Sequence, residues 1–333
     1  MKTRNFGVPA RQVVASLALV IMISLAMPGA AQSPSLYHAG DIAVINAIIY
    51  NNGLRWEKAP ADSSSALPKD WNQLRWSNDA NDKRITALDL KAKSLSGVLD
   101  VSGLSELQYL VCSDNQLSSL NVSGLMNLMH IECGNNQLWA IDVSQLPELY
   151  ILRCQNNQLT SIDVSGLEHL KELWCENNQL TALNVSGCTN LYTLVCYNNQ
   201  LTTLDVSEQS RLEFLLCGNN QLRSLNVSGP RSFAELSCHD NHLTVLDLKD
   251  CRSIMELYPN PQTLSLTLRW NPATRQYEAP IALNDPSGLS FWLKYSEGKL
   301  MAKWKFASST KFIVKTGHYD DTMSGVIRLR YER

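Results

Sequence analysis

Residues 107–127 read LQYLVCSDNQLSSLNVSGLMN, and close variants of this 21-residue unit follow one another along the middle of the chain. A fixed period of this length is typical of a solenoid, in which each unit stacks on the next. Because a solenoid offers a long regular surface, the repeats predict a protein that binds a partner. A cysteine returns at the same place in every unit, which gives the set Cys112, Cys133, Cys154, Cys175, Cys196, Cys217 and Cys238.

One repeat divides into a strand, a bend and an outer return. Leu110 and Cys112 occupy alternate positions and Leu107 precedes them, which predicts a short strand with one buried face. After the bend, apolar residues at three- and two-residue spacings predict a tight turn or a piece of 3₁₀ helix. An asparagine at the bend can satisfy backbone groups of the turning chain, and stacked copies would form an internal ladder. The ladder positions are Asn115, Asn136, Asn157, Asn178, Asn199, Asn220 and Asn241.

The N-terminal residues 1–31 have the pattern of a secretory signal peptide. Basic residues come first, an apolar run covers residues 13–27, and small residues follow at 28–31. The apolar run is shorter than the roughly 18–20 residues that span a bilayer, so an uncleaved membrane anchor is the weaker interpretation. We expect an exported protein that is secreted, periplasmic or on the cell surface, with no transmembrane segment in its mature form.

The nine cysteines raise the question of disulfide bonds in an exported chain. The register favours free thiols, because seven cysteines share one inward strand position, and Cys188 and Cys251 stand where other units have leucine. Neighbouring rungs bring the ladder cysteines to about 5 Å, but parallel side chains make disulfide geometry poor. Buried thiols are the leading interpretation, some disulfide pairs remain the alternative, and the spacing resembles no zinc motif.

With these motifs in place, the repeats resemble a known family. The core L-x-x-L-x-x-x-x-N-x-L is a leucine-rich repeat, and the form with cysteine in the strand, N-Q-L at the bend and D-V-S-G outside is similar to the cysteine-ladder repeats of internalin J and related secreted bacterial proteins. The resemblance implies an α/β-type repeat solenoid, with a parallel β-sheet on its concave side and 3₁₀ or turn structure on its convex side. It also implies adhesion or partner recognition, although no L-P-x-T-G sorting signal is present.

The flanks of the repeats, which span residues 85–257, differ in composition. Residues 36–84 contain a helical apolar pattern from Asp41 to Leu54 and a tryptophan-containing segment, similar to the N-terminal cap of plant-type leucine-rich proteins. Residues 258–333 are rich in aromatic residues and alternate apolar with polar positions between turn signals. This pattern predicts a small C-terminal antiparallel β-sandwich domain, for which an immunoglobulin-like form is one option.

The register also predicts which side chains leave the sheet towards solvent. Large apolar side chains come together on three adjacent rungs, beside charged ones, and an exposed apolar patch with a charged rim is typical of a partner site. The alternative is that these residues only reflect the preference of strands for large side chains. The predicted partner-binding residues are Trp174, Val195, Leu216, Phe214, Tyr197, Arg153, Glu172, Glu176 and Tyr109.

Charge and motif content exclude several functions. The formal net charge is −2 with acids and bases mixed, which argues against nucleic-acid binding. No catalytic constellation stands out from the repeats, and His239 and His242 diverge in the predicted register, so we expect no enzyme activity, no cofactor and no metal. The leading hypothesis is a protein or peptide ligand on the concave sheet. The alternative is a glycan- or wall-binding protein in which the C-terminal domain binds and the repeats are a spacer.

Overall fold

The computed structural model describes residues 37–60, 67–230 and 232–243, and beyond them the backbone of strands between residues 253 and 332. The predicted signal peptide 1–31, Cys251 and most of the predicted C-terminal domain lie outside the described residues. One α-helix, α1 (Ala39–Asn51), and one 3₁₀ helix (Lys69–Gln73) precede the repeats. In chain order, the strands are β1 (Arg75–Trp76), β2 (Ile85–Asp89), β3 (Ser96–Asp100), β4 (Tyr109–Val111), β5 (Gln116–Asn121), β6 (His130–Glu132), β7 (Ile151–Arg153), β8 (Glu172–Trp174), β9 (Thr193–Val195), β10 (Thr203–Asp205), β11 (Phe214–Leu216), β12 (Ser224–Asn226), β13 (Ser232–Ser237), β14 (Ser253–Tyr258), β15 (Leu264–Asn271), β16 (Gln276–Glu278), β17 (Ala282–Leu283), β18 (Trp292–Ser296), β19 (Lys299–Lys303), β20 (Ile313–Lys315) and β21 (Val326–Glu332).

Eleven strands form one large sheet in the order β1-β2-β4-β6-β7-β8-β9-β11-β13-β14-β17. The pair β1–β2 is antiparallel, and every later pair in this sheet is parallel. Equivalent positions of successive repeats face each other, as in the pair Leu152 and Leu173. The 21-residue period therefore sets the register, because each turn of the chain returns to the same height.

The N-terminal segment covers the first rung of the solenoid. Helix α1 buries Ile42, Ile45 and Ile48, and it begins two residues before the predicted start at Asp41. The carboxylate of Asp41 is itself buried: Oδ1 accepts from Arg84 Nη2 at 2.9 Å, and Oδ2 accepts from the backbone N–H of Ile85 at 2.7 Å. This ion pair joins the helix to the start of β2, so the carboxylate has partners despite its burial.

The outer return of each repeat consists of short extended pieces and turns. The pairs β3–β5 and β10–β12 are parallel, and turns closed by i+3 to i hydrogen bonds follow, such as Leu104 N to Val101 O at 2.9 Å. No 3₁₀ helix forms within the described part of the repeats, so of the two predicted forms, tight turn or 3₁₀ helix, the return there takes the turn. Asp142 shows the reason: its Oδ1 accepts from the backbone N–H of Ser144 at 3.0 Å, which closes a side-chain turn in place of a helical one.

Two internal ladders hold the rungs together. The eight cysteines of the described region are free thiols, and the seven ladder cysteines have no exposed surface. Burial raises the pKa of the Cys133 thiol to about 12, so the thiol stays protonated and packs as an apolar group. Beside it, Asn136 accepts from Leu117 N at 2.9 Å and donates to Cys112 O at 2.9 Å and Cys133 O at 3.1 Å. Each asparagine therefore joins its own rung to the previous one.

Beyond the repeats, only strands are described. β15 pairs with β21 in parallel and with β16 in antiparallel orientation, β20 pairs with β21 in parallel, and β18–β19 form an antiparallel pair. The four-stranded sheet is therefore mixed. The side chains and connections of this region lie outside the described residues, so the antiparallel sandwich stays a prediction.

Candidate binding site on the large sheet

The outward side chains of the large sheet form three rows, which we call the open face. Strand pairing places Arg153 beside Trp174, Trp174 beside Val195, and Val195 beside Leu216. The flanking row includes Glu172 and Phe214 on the same strands. The third row lies two residues after the last residue of each strand. Backbone hydrogen bonds between rungs, such as Asn156 N to Glu176 O at 3.0 Å, keep this row in the same register as the strands. The rows, by strand, are Tyr109, His130, Ile151, Glu172, Thr193, Phe214 and Glu235; Val111, Glu132, Arg153, Trp174, Val195, Leu216 and Ser237; and Ser113, Gly134, Gln155, Glu176, Tyr197, Gly218 and His239.

The apolar cluster is more buried than the sequence predicts. Val195 is only 2% exposed and Glu176 only 5% exposed, so neither belongs to an open patch or an exposed rim. Trp174, Leu216 and the remaining members of the cluster are half-buried. The reason is lateral packing: Val195 lies between two larger side chains on adjacent strands, which cover it. The predicted exposed patch is therefore a packed layer whose upper surface alone meets solvent.

A charged network lies immediately next to this layer. Arg153 donates from Nη1 to Glu132 Oε1 and from Nη2 to Glu172 Oε2, both at 3.0 Å. Its guanidinium also lies 5.4 Å from the ring of Trp174, within the range of a cation–π contact. His130 Nε2 is 3.0 Å from Glu132 Oε1, and this hydrogen bond lowers the pKa of Glu132. Three groups on the two flanking rungs, Glu132, Glu172 and Trp174, thus fix the position of Arg153, and His130 in turn holds Glu132.

Tyr109 is the one predicted site residue that the structure places away from the cluster. It lies three rungs before Trp174, and its ring contacts that of His130 at a centroid distance of 6.1 Å. It therefore reaches the charged network only through His130.

Several buried polar atoms on the open face have no hydrogen-bond partner among the described residues. Four of them come from neighbouring side chains on two adjacent rungs: Arg153 Nε, Gln155 Oε1, Trp174 Nε1 and Glu176 Oε2. A buried polar group without a partner costs about 1–3 kcal/mol. Apart from these four atoms and Ser113 Oγ, the buried side-chain polar atoms of the described residues have partners. The cluster therefore marks a place where the sequence retains groups that folding alone does not use.

Glu176 is the most perturbed of these groups. Burial raises its pKa to about 7, although the nearby Arg153 lowers it. Two rungs earlier in the same row, Gly134 makes room for Gln155: a Cβ at Gly134 would lie 2.7 Å from Gln155 Cδ. The glycine lets the amide of Gln155 lie across the neighbouring rung, towards the N-terminal end of the row. We call Arg153, Gln155, Trp174 and Glu176 the unsaturated cluster.

Sequence reasoning missed a column of residues just before the strands. Lys171 Nζ lies 5.6 Å from the ring of Tyr150 and 5.7 Å from that of Tyr192, and Tyr192 donates to Glu213 Oε2 at 2.9 Å. Tyr192 also contacts Phe214 edge-to-face at 5.5 Å, which joins this column to the apolar cluster. The signal was the return of an aromatic residue at the position that immediately precedes an observed strand, as at Tyr150 and Tyr192.

A second asparagine column, exposed at the bend, was also missed. Its members adopt positive φ values, such as 55° at Asn156 and Asn177, which asparagine and aspartate tolerate better than most residues. Their side chains bond from rung to rung, as Asn156 Nδ2 does to Asn135 Oδ1 at 2.7 Å. The doubled asparagine in N-N-Q-L was the available signal. The column is Asp114, Asn135, Asn156, Asn177, Asn198, Asn219 and Asp240.

The described part of the chain contains one α-helix and one 3₁₀ helix. None of its helices has the length and apolar content needed to cross a membrane. No group of three or more histidine, cysteine, aspartate or glutamate side chains there is placed to hold a metal ion. His239 Nδ1 instead lies 2.8 Å from Asp240 Oδ2, and His242 is exposed in the next outward row.

Comparison with known families agrees with this architecture. Two overlapping stretches, residues 147–187 and 168–209, match the family profile described as Leucine Rich repeats (2 copies). This match identifies leucine-rich repeats within residues 147–209, and the same stacked parallel strands and internal ladders extend on both sides of that stretch. No curated protein matches the chain.

Among solved structures, the repeats resemble those of the functional domain of InlJ from Listeria monocytogenes, which includes a cysteine ladder. That match has 22% identity, covers 56% of this chain and 67% of that one, and has a TM-score of 0.34. YopM from Yersinia pestis, a leucine-rich effector protein, matches at 27% identity over 54% of this chain and 51% of its own, with a TM-score of 0.49. The plant peptide hormone receptor RGFR1, solved with RGF2, matches at 20% identity over 60% of this chain and 40% of its own, with a TM-score of 0.46.

Proposed function

We propose that the chain is exported and that its open face, in adhesion or recognition, binds a protein or peptide partner. Leucine-rich repeat folds commonly mediate protein–protein interaction, and solenoids present extended concave surfaces for it. The observation that carries the proposal is the half-buried layer of Trp174, Leu216, Phe214 and Tyr197 on adjacent rungs. Large aromatic side chains packed around a buried centre, with an arginine beside them, are typical of binding hot spots.

The charged groups next to the layer support the same assignment. Arg153 is held by Glu132 and Glu172, so it is positioned before any partner arrives. A preordered interface loses less conformational entropy on binding than a mobile one. The layer and the charged network together offer an apolar centre with a fixed polar border.

The test compares three intact proteins in a pull-down from surface extracts of candidate host or bacterial cells, followed by affinity measurement on the captured partner. In the double variant W174A/F214A we expect the affinity to fall by at least about 30-fold, because hot-spot truncation costs about 2 kcal/mol or more. The thermal transition should fall by only a few degrees, because both side chains are half-buried and the cysteine and asparagine ladders stay intact. W139A is the matched control, because Trp139 is a 64% exposed tryptophan on the outer return.

The double variant also separates the two function classes. Full binding by W174A/F214A would contradict a site on the open face. If that retained binding were to an oligosaccharide, it would favour the alternative in which residues 258–333 grip a glycan and the repeats act as a spacer. Weakened binding by W139A to the same degree would show that the open face has no special role.

A further inference from the structure

The open face carries an excess of acidic groups. Its three rows, over the described strands β4 to β13, contain four carboxylates and one arginine: Glu132, Glu172, Glu176, Glu235 and Arg153. Both terminal nitrogens of Arg153 already contact carboxylates, at Glu132 and Glu172. The remaining charge favours a cationic partner group over an anionic one.

Within this acidic face, the four atoms of the unsaturated cluster that lack a hydrogen-bond partner form one acceptor pair and one donor pair. The two acceptors, Gln155 Oε1 and Glu176 Oε2, belong to neighbours in the third row. The two donors, Arg153 Nε and Trp174 Nε1, belong to neighbours in the middle row. Adjacent strands are about 4.8 Å apart, so each pair can meet one partner group. Glu176 is only 5% exposed, and its Oε2 has no hydrogen-bond partner among the described residues, so the carboxylate is buried with an unused acceptor.

We propose that Gln155 and Glu176 accept hydrogen bonds from a lysine or arginine side chain of the partner, while Arg153 Nε and Trp174 Nε1 donate to a backbone carbonyl of the same partner. This inference rests on the proposed function and names the chemistry of the bound segment: a basic residue in an extended peptide or loop. An ammonium or guanidinium group is a donor without acceptors, which matches the acceptor pair. A peptide carbonyl is an acceptor, which matches the donor pair.

The orphan atoms are covered by neighbouring side chains, so the bound state requires Gln155 and Glu176 to rotate outward about their side-chain bonds. Both side chains are long enough for this movement, and in the bound state the amide of Gln155 leaves the Gly134 rung that it covers in the free protein. Two titratable groups interact electrostatically with Glu176. Arg153 favours the ionised form of its carboxylate. The other is the Tyr197 hydroxyl, whose own pKa is raised by burial and by the charge of Glu176. An incoming cation would stabilise the ionised form of Glu176, which burial disfavours.

A neutral sugar fits this site less well than a basic peptide. The guanidinium of Arg153 lies over the ring of Trp174 at 5.4 Å, which occupies ring surface that a stacked sugar would need. Sugar hydroxyls also gain little from an excess of carboxylates, whereas a cation gains from each of them.

The experiment selects a random octapeptide display library on the intact protein at pH 8, where Glu176 is mostly ionised. The selected peptides should be enriched in lysine and arginine. Replacement of the basic residue by citrulline or acetyl-lysine should weaken binding at least about tenfold, as should the variant E176Q. Combining the two changes should weaken binding little further, because both remove the same contact. E148Q is the matched control, because Glu148 is an exposed glutamate, 52% exposed at its side chain, outside the open face.

The outcomes separate this inference from the proposed function. Selected peptides that lack basic residues, or that bind E176Q as tightly as wild type, would overturn the inference, while their loss on W174A/F214A would leave the proposed function standing. Binding of a neutral oligosaccharide that E176Q abolishes would also overturn it. If no peptide is selected, the inference fails, and the pull-down decides the proposed function separately. If W174A/F214A binds the selected peptides normally, both proposals fail. In every experiment that uses E176Q, circular dichroism checks that the variant is folded.

Discussion

Asn178 and Glu176 are two residues apart and equally hidden from solvent, yet they differ in how their polar groups are satisfied. Asn178 is 9% exposed, accepts from Leu159 N at 3.0 Å and donates to Cys154 O, Cys175 O and Glu176 O at 3.0 to 3.3 Å. Glu176 is 5% exposed, and its Oε2 has no partner among the described residues. One position faces the bend, and the other faces the open sheet.

The difference separates folding from function within one repeat. The asparagine recurs in every unit because each bend leaves the same backbone groups to satisfy. The glutamate does not recur: its row contains serine, glycine, glutamine, tyrosine and histidine at the equivalent positions. A buried group that folding does not need and that its neighbours do not satisfy is best explained by a partner. The following predictions test that contrast.

The largest effect is expected at the bend. Replacing Asn178 with alanine leaves four backbone groups on two rungs without their side-chain partner. At about 1 kcal/mol for each hydrogen bond, the free energy of unfolding should fall by about 4 kcal/mol. Urea unfolding measures it, with Q179A as control, because Gln179 is exposed in the next position. If N178A and Q179A lose stability equally, the ladder has no structural role.

A smaller and pH-dependent effect is expected at Glu176. Its folded pKa of about 7 exceeds its ordinary value of 4.5, so the folded state binds the proton more tightly than the unfolded state. Its contribution to stability is therefore full below pH 4.5 and declines as pH rises to about 7, by up to about 3 kcal/mol. The measurement is the free energy of unfolding of wild type minus that of E176Q, from pH 4.5 to 8. A difference that stays flat, or rises with pH, contradicts a buried unpartnered carboxylate.

The smallest stability effect is expected at Gly134. In G134A the new methyl group meets the flexible side chain of Gln155, so the loss should stay within about 1 kcal/mol. Partner affinity should rise, because the methyl group displaces Gln155 from the rung that it covers in the free protein, towards the outward rotamer that binding requires. G218A is the matched control: its methyl group would displace His239, which lies outside the unsaturated cluster. An unchanged or lower affinity in G134A, or an equal rise in G218A, would contradict this role of Gln155.

The period made the fold predictable from the sequence. Seven copies of one pattern fix the strand, the bend and the inward cysteine, and stacking then leaves one register for positions such as Trp174 and Val195. The burial of Val195 and Glu176 was not predictable, because it depends on the neighbours that two other repeats supply. The outer return was ambiguous between turn and 3₁₀ helix, since local side-chain hydrogen bonds such as that of Asp142 decide it.

The candidate site was predictable only in part, for a related reason. Alternation gave its rows, but the ion pairs of Arg153 and the orphan atoms of the unsaturated cluster depend on rotamers that a pattern does not specify. The column of Lys171 and the two tyrosines was missed because its members precede the strand, where alternation carries no information.

Photo-crosslinking from single positions tests the central claim most directly. p-Benzoylphenylalanine replaces Phe214 on the open face in one protein and Trp139 on the outer return in another, and each is irradiated with the extract that yields the partner. We predict a covalent adduct with the partner from position 214 and none from position 139. An adduct from position 139 alone, or captured partner without any adduct from position 214, would contradict binding on the open face.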